Sequence, residues 1–251
     1  MPLHHHEYFS DKAPLYAAAR PRYPDALFEF LCEQCSDLDC AWDCATGSGQ
    51  TAWSLAHFFR QVEATDVSAE QIAQAVQHER IRYGVQPAEH TNFSNDTFSL
   101  VTVAQALHWF EFDAFWPEVQ RVLKPGGLFA AWAYSWFHIG DEVDEIISEL
   151  LLDKIAGFWA QQNRLAWDGY RDIPFPFTPV ATPDIKFIPR WNLAELLSYV
   201  GTWSAVRRCD EAHGSACLTP LATALEQVWG PREEKKEVAM DFYLLAGRCE
   251  K

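Results

Sequence analysis

Residues 38–44, 61–65, 81–85, 98–103 and 128–134 are short runs rich in aliphatic, aromatic and β-branched side chains. That is the pattern of strands buried in a sheet. Between them, apolar residues recur at helical spacing over residues 51–59, 68–80 and 112–123. An earlier helix opens at Asp25, with Ala26, Leu27, Phe30 and Leu31 on its apolar side. Residues 13–20 read as a short helix that Pro21 and Pro24 interrupt. Ser68 is placed to cap the helix it opens, and Lys124-Pro125-Gly126-Gly127 carries the residues that stop one. Strand, helix, strand, helix at this spacing predicts an α/β fold with a mostly parallel sheet covered on both faces.

After Tyr134 the alternation stops. Residues 141–160 read as one long amphipathic helix, and residues 191–200 and 220–229 as two more. Residues 238–246 read as a last strand. The stretch DIPFPFTPVATPDIKFIPRW is too aromatic to be left in solvent, so a cap wrapped on the sheet is expected here. Its aromatics, with Trp136, Phe137, Phe158 and Trp159, suit a pocket for a flat or apolar molecule, and would serve equally well as core.

Composition narrows the function. The chain has 251 residues, 49% hydrophobic and 22% charged, which suits a globular domain of one core. Twenty Lys and Arg against 35 Asp and Glu leave a net charge of −15. Nucleic acid and anionic membrane surfaces are therefore not expected partners. There is no apolar run of membrane-spanning length, and residues 1–16 lack a basic segment followed by an apolar one. A cytoplasmic protein is expected. Seven cysteines cannot all pair. Cys32, Cys35, Cys40 and Cys44 fall on an expected helix and strand, so free thiols are expected there and no metal site. His4, His5 and His6 are neighbours in a polar tail and would not converge on an ion.

The chemistry concentrates at the ends of the first two strands. Asp43-Cys44-Ala45-Thr46-Gly47-Ser48-Gly49-Gln50 joins the first strand to a helix. Small residues there let backbone N–H groups approach a ligand closely. Asp66 closes the second strand, where an acid can hold the two hydroxyls of a ribose. A dinucleotide site would want a third glycine where Gln50 stands, and Asp43 would repel a pyrophosphate. A nicotinamide-dependent oxidoreductase is thus a weaker reading than a cationic, amino-acid-bearing adenosine cofactor such as S-adenosylmethionine.

YAAARPRYP, DCATGSGQ with ATDVS after it, PAEHTNFSNDTFSLVTVAQALHWF and RVLKPGGLFAAW follow one another over residues 8–134. In order and spacing they resemble the class I S-adenosylmethionine-dependent methyltransferases of the type 11 group. They are most similar to the small-molecule branch that includes trans-aconitate methyltransferase. WNLAELLSYVGTWSAV and DFYLLAGR are similar as well. The resemblance implies a Rossmann-like, doubly wound sheet of seven strands, mostly parallel, with an antiparallel C-terminal strand and an inserted helical and aromatic cap. It implies a single domain over residues 1–251. N-terminal helices (1–37) would cover the cofactor, and the cofactor-binding core would occupy 38–134. The cap and substrate region would span 135–200, and residues 201–251 would complete the sheet.

It also implies roles. Asp43 would anchor the methionine ammonium through the turn or through a water. Ala45, Thr46, Gly47 and Gly49 would form the turn. The family has glycine at position 45, and alanine fits there if its φ is negative. Asp66 would hold the ribose, with Val67, Ala88 and Glu89 around the adenine. Ala104 and Gln105 would lie against the methionine part, and Tyr16 and Arg20 would fold over it. His108 would be the base for a phenol, hydroxyl or amine acceptor, or else a packed polar residue without a chemical role. Trp109, Trp132 and Trp136 would wall the substrate pocket, or else be core. The implied activity is methyl transfer to a small-molecule acceptor, possibly a carboxylate, by a monomer or weak dimer. A cofactor-binding regulator without turnover is the alternative from another class.

Overall fold

The computed structural model describes residues 20–214 and 217–251. The helix expected over residues 13–20 lies outside them, apart from Arg20. Five strands follow one another with helices between: β1 Cys40–Cys44, β2 Gln61–Asp66, β3 Ile81–Val85, β4 Phe98–Ala104 and β5 Leu123–His138. β6 (Thr178–Pro179) and β9 (Ala239–Arg248) complete one seven-stranded sheet in the order β3-β2-β1-β4-β5-β9-β6. β1 to β5 pair in parallel, whereas β9 runs antiparallel to β5 and to β6. β7 (Arg190–Trp191) and β8 (Lys236–Glu237) form a separate short ribbon. β1 lies between β2 and β4, so the chain leaves β1 in one direction and returns on its other side. That reversal opens a crevice beyond the carboxyl ends of these strands.

The layers follow from burial. β1 and β4 are buried almost throughout, as a parallel sheet requires. Along β5, Leu128, Ala130 and Trp132 pack on one face, with α1 (Asp25–Glu33) and α2 (Gln50–Leu55). Phe129, Ala131 and Ala133 pack on the other, with α4 (Phe112–Val122). Trp132 is thus core on the face covered by α1 and α2: it is fully buried and meets Tyr23 and Phe28 edge-on. The expectation that it walls the pocket is corrected by the two-residue alternation of the strand.

Two helices differ from expectation for local reasons. The helix opened by Ser68 covers only α3 (Ala69–Ala73), although the Ser68 hydroxyl does accept from the Gln71 amide as a cap. Beyond it Val76 is largely exposed and its carbonyl is taken by the Tyr83 hydroxyl, so no apolar stripe holds a longer helix. Residues 141–160 are not one helix. α5 (Asp141–Ile147) gives way to a π turn (Ser148–Leu152), a short α segment (Asp153–Ile155) and a 3₁₀ turn (Ala156–Phe158). Val143, Ile147, Leu151 and Ile155 are all buried at spacings of four. In an α-helix that spacing drifts by about 40° each step, and the wider π turn absorbs the drift.

The cap is larger than the pattern suggested. It includes α6 (Asn163–Trp167), α7 (Leu193–Gly201), α8 (Ser204–His213) and α9 (Leu218–Val228). α7 begins with a reciprocal capping box between Asn192 and Glu195. Among the described residues, no helix is long and apolar enough to cross a membrane.

Candidate functional site

A cavity of about 400 Å³ opens at the carboxyl ends of β1, β2, β3 and β4. Its floor is the turn of Ala45, Thr46, Gly47 and Ser48. Asp66 and Val67 follow from β2, Pro87, Ala88 and Glu89 from the segment after β3, and Ala104, Gln105 and Ala106 from the end of β4. Arg20, Tyr23, Trp109 and Tyr134 close it from the side. Tyr16 lies outside the described residues. The structure therefore gathers most residues expected at a cofactor site around one space.

Two carboxylates organise it in different ways. Asp66 sits on the wall. One oxygen accepts from the Gly47 amide at 2.8 Å and the other from the Ser68 amide at 2.8 Å, which ties the turn after β1 to the turn after β2. Burial pushes its pKa up against these hydrogen bonds. Asp43 does not reach the cavity. It is fully buried beneath the turn and accepts from the hydroxyls of Thr46 and Thr102 and from the Ala52 amide. Burial pushes its pKa up to about 7. It holds the turn and the start of α2, so any effect on a ligand in the cavity passes through the turn.

The turn departs from expectation at two positions. Ala45 lines the cavity with φ +54°, so it occupies the left-handed region and not the negative φ assumed for it. Gly49 forms no part of the wall. It is buried at the start of α2 with φ +86°, where an added Cβ would lie 2.4 Å from the Tyr83 hydroxyl oxygen. Gln105 also has positive φ, +58°; its amide donates to the Trp132 carbonyl and its side chain to the Tyr134 carbonyl. The chain turns sharply off β4 there and forms a lip between two spaces.

The second space, about 90 Å³, shares Arg20, Gln105, Trp109 and Tyr134 with the first. Arg20 donates to the Tyr134 hydroxyl at 2.7 Å and its guanidinium carbon lies 5.3 Å from the Tyr199 ring centre. His108 and Trp136 line this chamber. His108 is a poor base, however. It is buried with Nδ1 3.2 Å from the Tyr170 hydroxyl, and burial pushes its pKa down to about 3. It stays neutral near neutral pH and is a polar wall. The sequence reading missed Ser135, Asn163, Trp167, Tyr199 and Trp203 here. For Trp167, Tyr199 and Trp203 aromatic richness was the one signal, because they come from separate cap segments; Ser135 and Asn163 carried none. Ser68, Gln71, Gln86 and Phe110 were missed around the larger cavity; each follows a strand end by a few residues.

Comparison with known proteins agrees with this geometry. Residues 42–131 match the family described as a methyltransferase domain. A solved structure, named as a type II methyltransferase from Anaeromyxobacter dehalogenans, is 39% identical and superposes with a TM-score of 0.85. The match covers 92% of this chain and 98% of that one. A protein of Dictyostelium discoideum named as a methyltransferase is 28% identical over 96% of this chain and 95% of its own length. The geranyl diphosphate C-methyltransferase of Streptomyces coelicolor, at 15% identity and a TM-score of 0.51 over 99% of each chain, shares the fold alone. With its sheet order, its turn after β1 and its acid after β2, the chain belongs to the class I S-adenosylmethionine-dependent methyltransferases.

Proposed function

We propose that the 400 Å³ cavity holds S-adenosylmethionine and that the chain transfers its methyl group to a small molecule seated in the adjoining chamber. The carrying observation is that Asp66 and the turn after β1 line one cavity, and that this cavity shares a wall with the aromatic chamber. The residues present fit the cofactor. The volume lies in the range of small-ligand sites. An ionised carboxylate offers about four acceptor positions. The amides of Gly47 and Ser68 leave Asp66 room for a pair of ribose hydroxyls. Val67, Ala88 and Glu89 would flank the adenine. Ala45, Thr46, Gly47, Ala104 and Gln105 would receive the methionine part, with Arg20 beside its carboxylate.

Bound there, S-adenosylmethionine supplies a methyl on a positively charged sulfur with a neutral thioether as leaving group. The protein's own task is to align an acceptor and exclude water. A carboxylate is the simplest acceptor group, because it is already ionised at neutral pH and no strong base lines the chamber among the described residues. Calorimetric titration with S-adenosylmethionine, S-adenosylhomocysteine and NAD tests the reading. The two sulfur compounds should bind, NAD should not, and Asp66→Ala should abolish the binding. Unchanged affinity in Asp66→Ala, or binding of NAD alone, would overturn it.

A further inference from the structure

The smaller chamber is built from tryptophans that converge from four segments. Trp136 comes from the outer part of β5, Trp159 follows the 3₁₀ turn, Trp167 ends α6, and Trp203 lies between α7 and α8. Their rings form one cluster, in which Trp136 and Trp159 also meet edge-on at 6.1 Å. Centroid distances are 5.2 Å for Trp136 and Trp167, 5.3 Å for Trp167 and Trp159, 5.6 Å for Trp159 and Trp203, and 6.2 Å for Trp203 and Trp136. Structural tryptophans of this chain are different: Trp42, Trp132 and Trp229 are fully buried. Trp136, Trp159 and Trp167 are only half-buried, and they line the cavity.

Two polar groups accompany them. The Ser135 hydroxyl oxygen and the Asn163 side-chain oxygen are buried, and neither has a hydrogen-bond partner. Buried polar atoms are rarely left so, and a ligand is one ordinary source of the missing partner. Charge restricts the ligand further. Among the described residues of the lining, Arg20 is the charged side chain, and no carboxylate faces the chamber. A cationic ligand would meet no countercharge there.

We infer that this chamber selects a planar aromatic acceptor, neutral or anionic, that presents a hydrogen-bond donor to Asn163 and whose reacting atom needs no deprotonation by the protein. This rests on the reading that the larger cavity holds S-adenosylmethionine. Flat rings stack on indole faces. The attacking group must need no proton removed by the protein, since His108 is engaged beside Tyr170 and burial makes it a weak proton acceptor. For an aryl carboxylate, an oxygen lone pair forms the new bond to the methyl carbon. The carbon–sulfur bond breaks, and its electron pair remains on sulfur. The carboxylate becomes a neutral ester, the sulfonium a neutral thioether, and no proton moves.

The test is calorimetry and tryptophan fluorescence on the protein saturated with S-adenosylhomocysteine, using four probes. These are 4-hydroxybenzoate, benzoate, cyclohexanecarboxylate of the same charge without a planar ring, and benzylamine as a ring with positive charge. The expected order is 4-hydroxybenzoate tightest and benzoate about tenfold weaker, with the other two weaker still. Trp167→Leu should weaken 4-hydroxybenzoate about tenfold and leave S-adenosylhomocysteine affinity unchanged. Asn163→Leu should abolish the preference for 4-hydroxybenzoate over benzoate. Cyclohexanecarboxylate or benzylamine binding as well as benzoate, or Trp167→Leu without effect on any probe, would overturn the proposal. Failure of S-adenosylhomocysteine itself to bind would instead refute the cofactor reading. The four probes titrated into the protein alone would then still decide the chamber's preference.

Discussion

Gly49→Ala separates a residue that builds the turn after β1 from one proposed to touch the cofactor. Gly49 has φ +86°, a conformation that costs an L-residue roughly 1–2 kcal/mol. Its new Cβ would also stand 2.4 Å from the Tyr83 hydroxyl oxygen and 3.1 Å from two ring carbons. Tyr83 can yield only by giving up its 3.0 Å hydrogen bond to the Val76 carbonyl, worth about 1 kcal/mol net. If it stays, overlap of this kind costs about 1–3 kcal/mol. The substitution should therefore destabilise by roughly 2–4 kcal/mol in urea unfolding. In a Tyr83→Ala background the overlap is gone and the backbone cost alone remains. The cycle should then show a coupling of about 1–2 kcal/mol, well above the scatter of independent sites. Gly47→Ala is the contrast. Gly47 also has positive φ, +56°, but its added Cβ would meet only the Gln71 side-chain oxygen, 3.9 Å away. It should cost less stability than Gly49→Ala and yet weaken S-adenosylhomocysteine binding more, because it lies on the cavity wall. Equal costs in the two Tyr83 backgrounds would refute the packing argument. A larger loss of affinity in Gly49→Ala than in Gly47→Ala would return Gly49 to the binding surface.

Other consequences follow from the same geometry. Asp43 carries a pKa near 7 when folded and an ordinary 3.8 when not, so the folded state holds a proton that the unfolded chain releases between these values. Its contribution is fully present below about pH 4 and is lost as pH rises towards 7, a decline on the order of 4 kcal/mol. Asp43→Asn should flatten that slope in urea unfolding at pH 5 and 7; an identical slope in both proteins would exclude Asp43 as its source. Glu118 acts in the opposite sense but below this window. Arg121 and Thr91 hold its pKa near 2, so its contribution is present above its ordinary 4.5 and lost as pH falls towards 2. Ala45→Gly should relieve the left-handed strain, partly offset by the freer unfolded chain, for a net gain of about 0–1 kcal/mol; a measurable loss would mean that the methyl's packing outweighs the strain. Trp132→Ala should cost about 3–5 kcal/mol of stability as a core cavity. Trp136→Ala should cost clearly less and instead weaken acceptor-site probes; the reverse pattern in unfolding and probe titrations would undo the distinction between these two tryptophans.

How much was legible depends on whether a residue's role is local in sequence. The turn after β1 and the acid after β2 lie within a few residues of strand ends. Strand ends can be read from period and composition, and the topology alone brings them together. Ala45 was misjudged because φ at one position is set by closure of the whole turn: the Thr46 amide donates to Thr65, and Asp66 pulls in Gly47. Asp43 could be placed only loosely, through the turn or a water, because a carboxylate beside a glycine turn looks the same in sequence whether it faces the ligand or the helix beneath. Its hydrogen bonds from Thr102 on the neighbouring strand, from Thr46 and from Ala52 fix the second orientation.

Trp132 and Trp136 carry the sharper lesson. Four residues apart on one strand, they should share a face by simple alternation. β9 advances two residues, from Phe242 to Met240, while β5 advances three, from Tyr134 to Phe137. That one-residue bulge resets the alternation. Trp132 therefore stays with Leu128 and Ala130 in the core, whereas Trp136 is released to meet Trp167 and Trp203 over the chamber. The partners that make Trp136 part of a site come from α6 and from the junction of α7 and α8, segments with no periodic link to β5. The proposed cofactor half of this enzyme is therefore written at strand ends, while the proposed acceptor half is written in how a bulge and three cap segments meet.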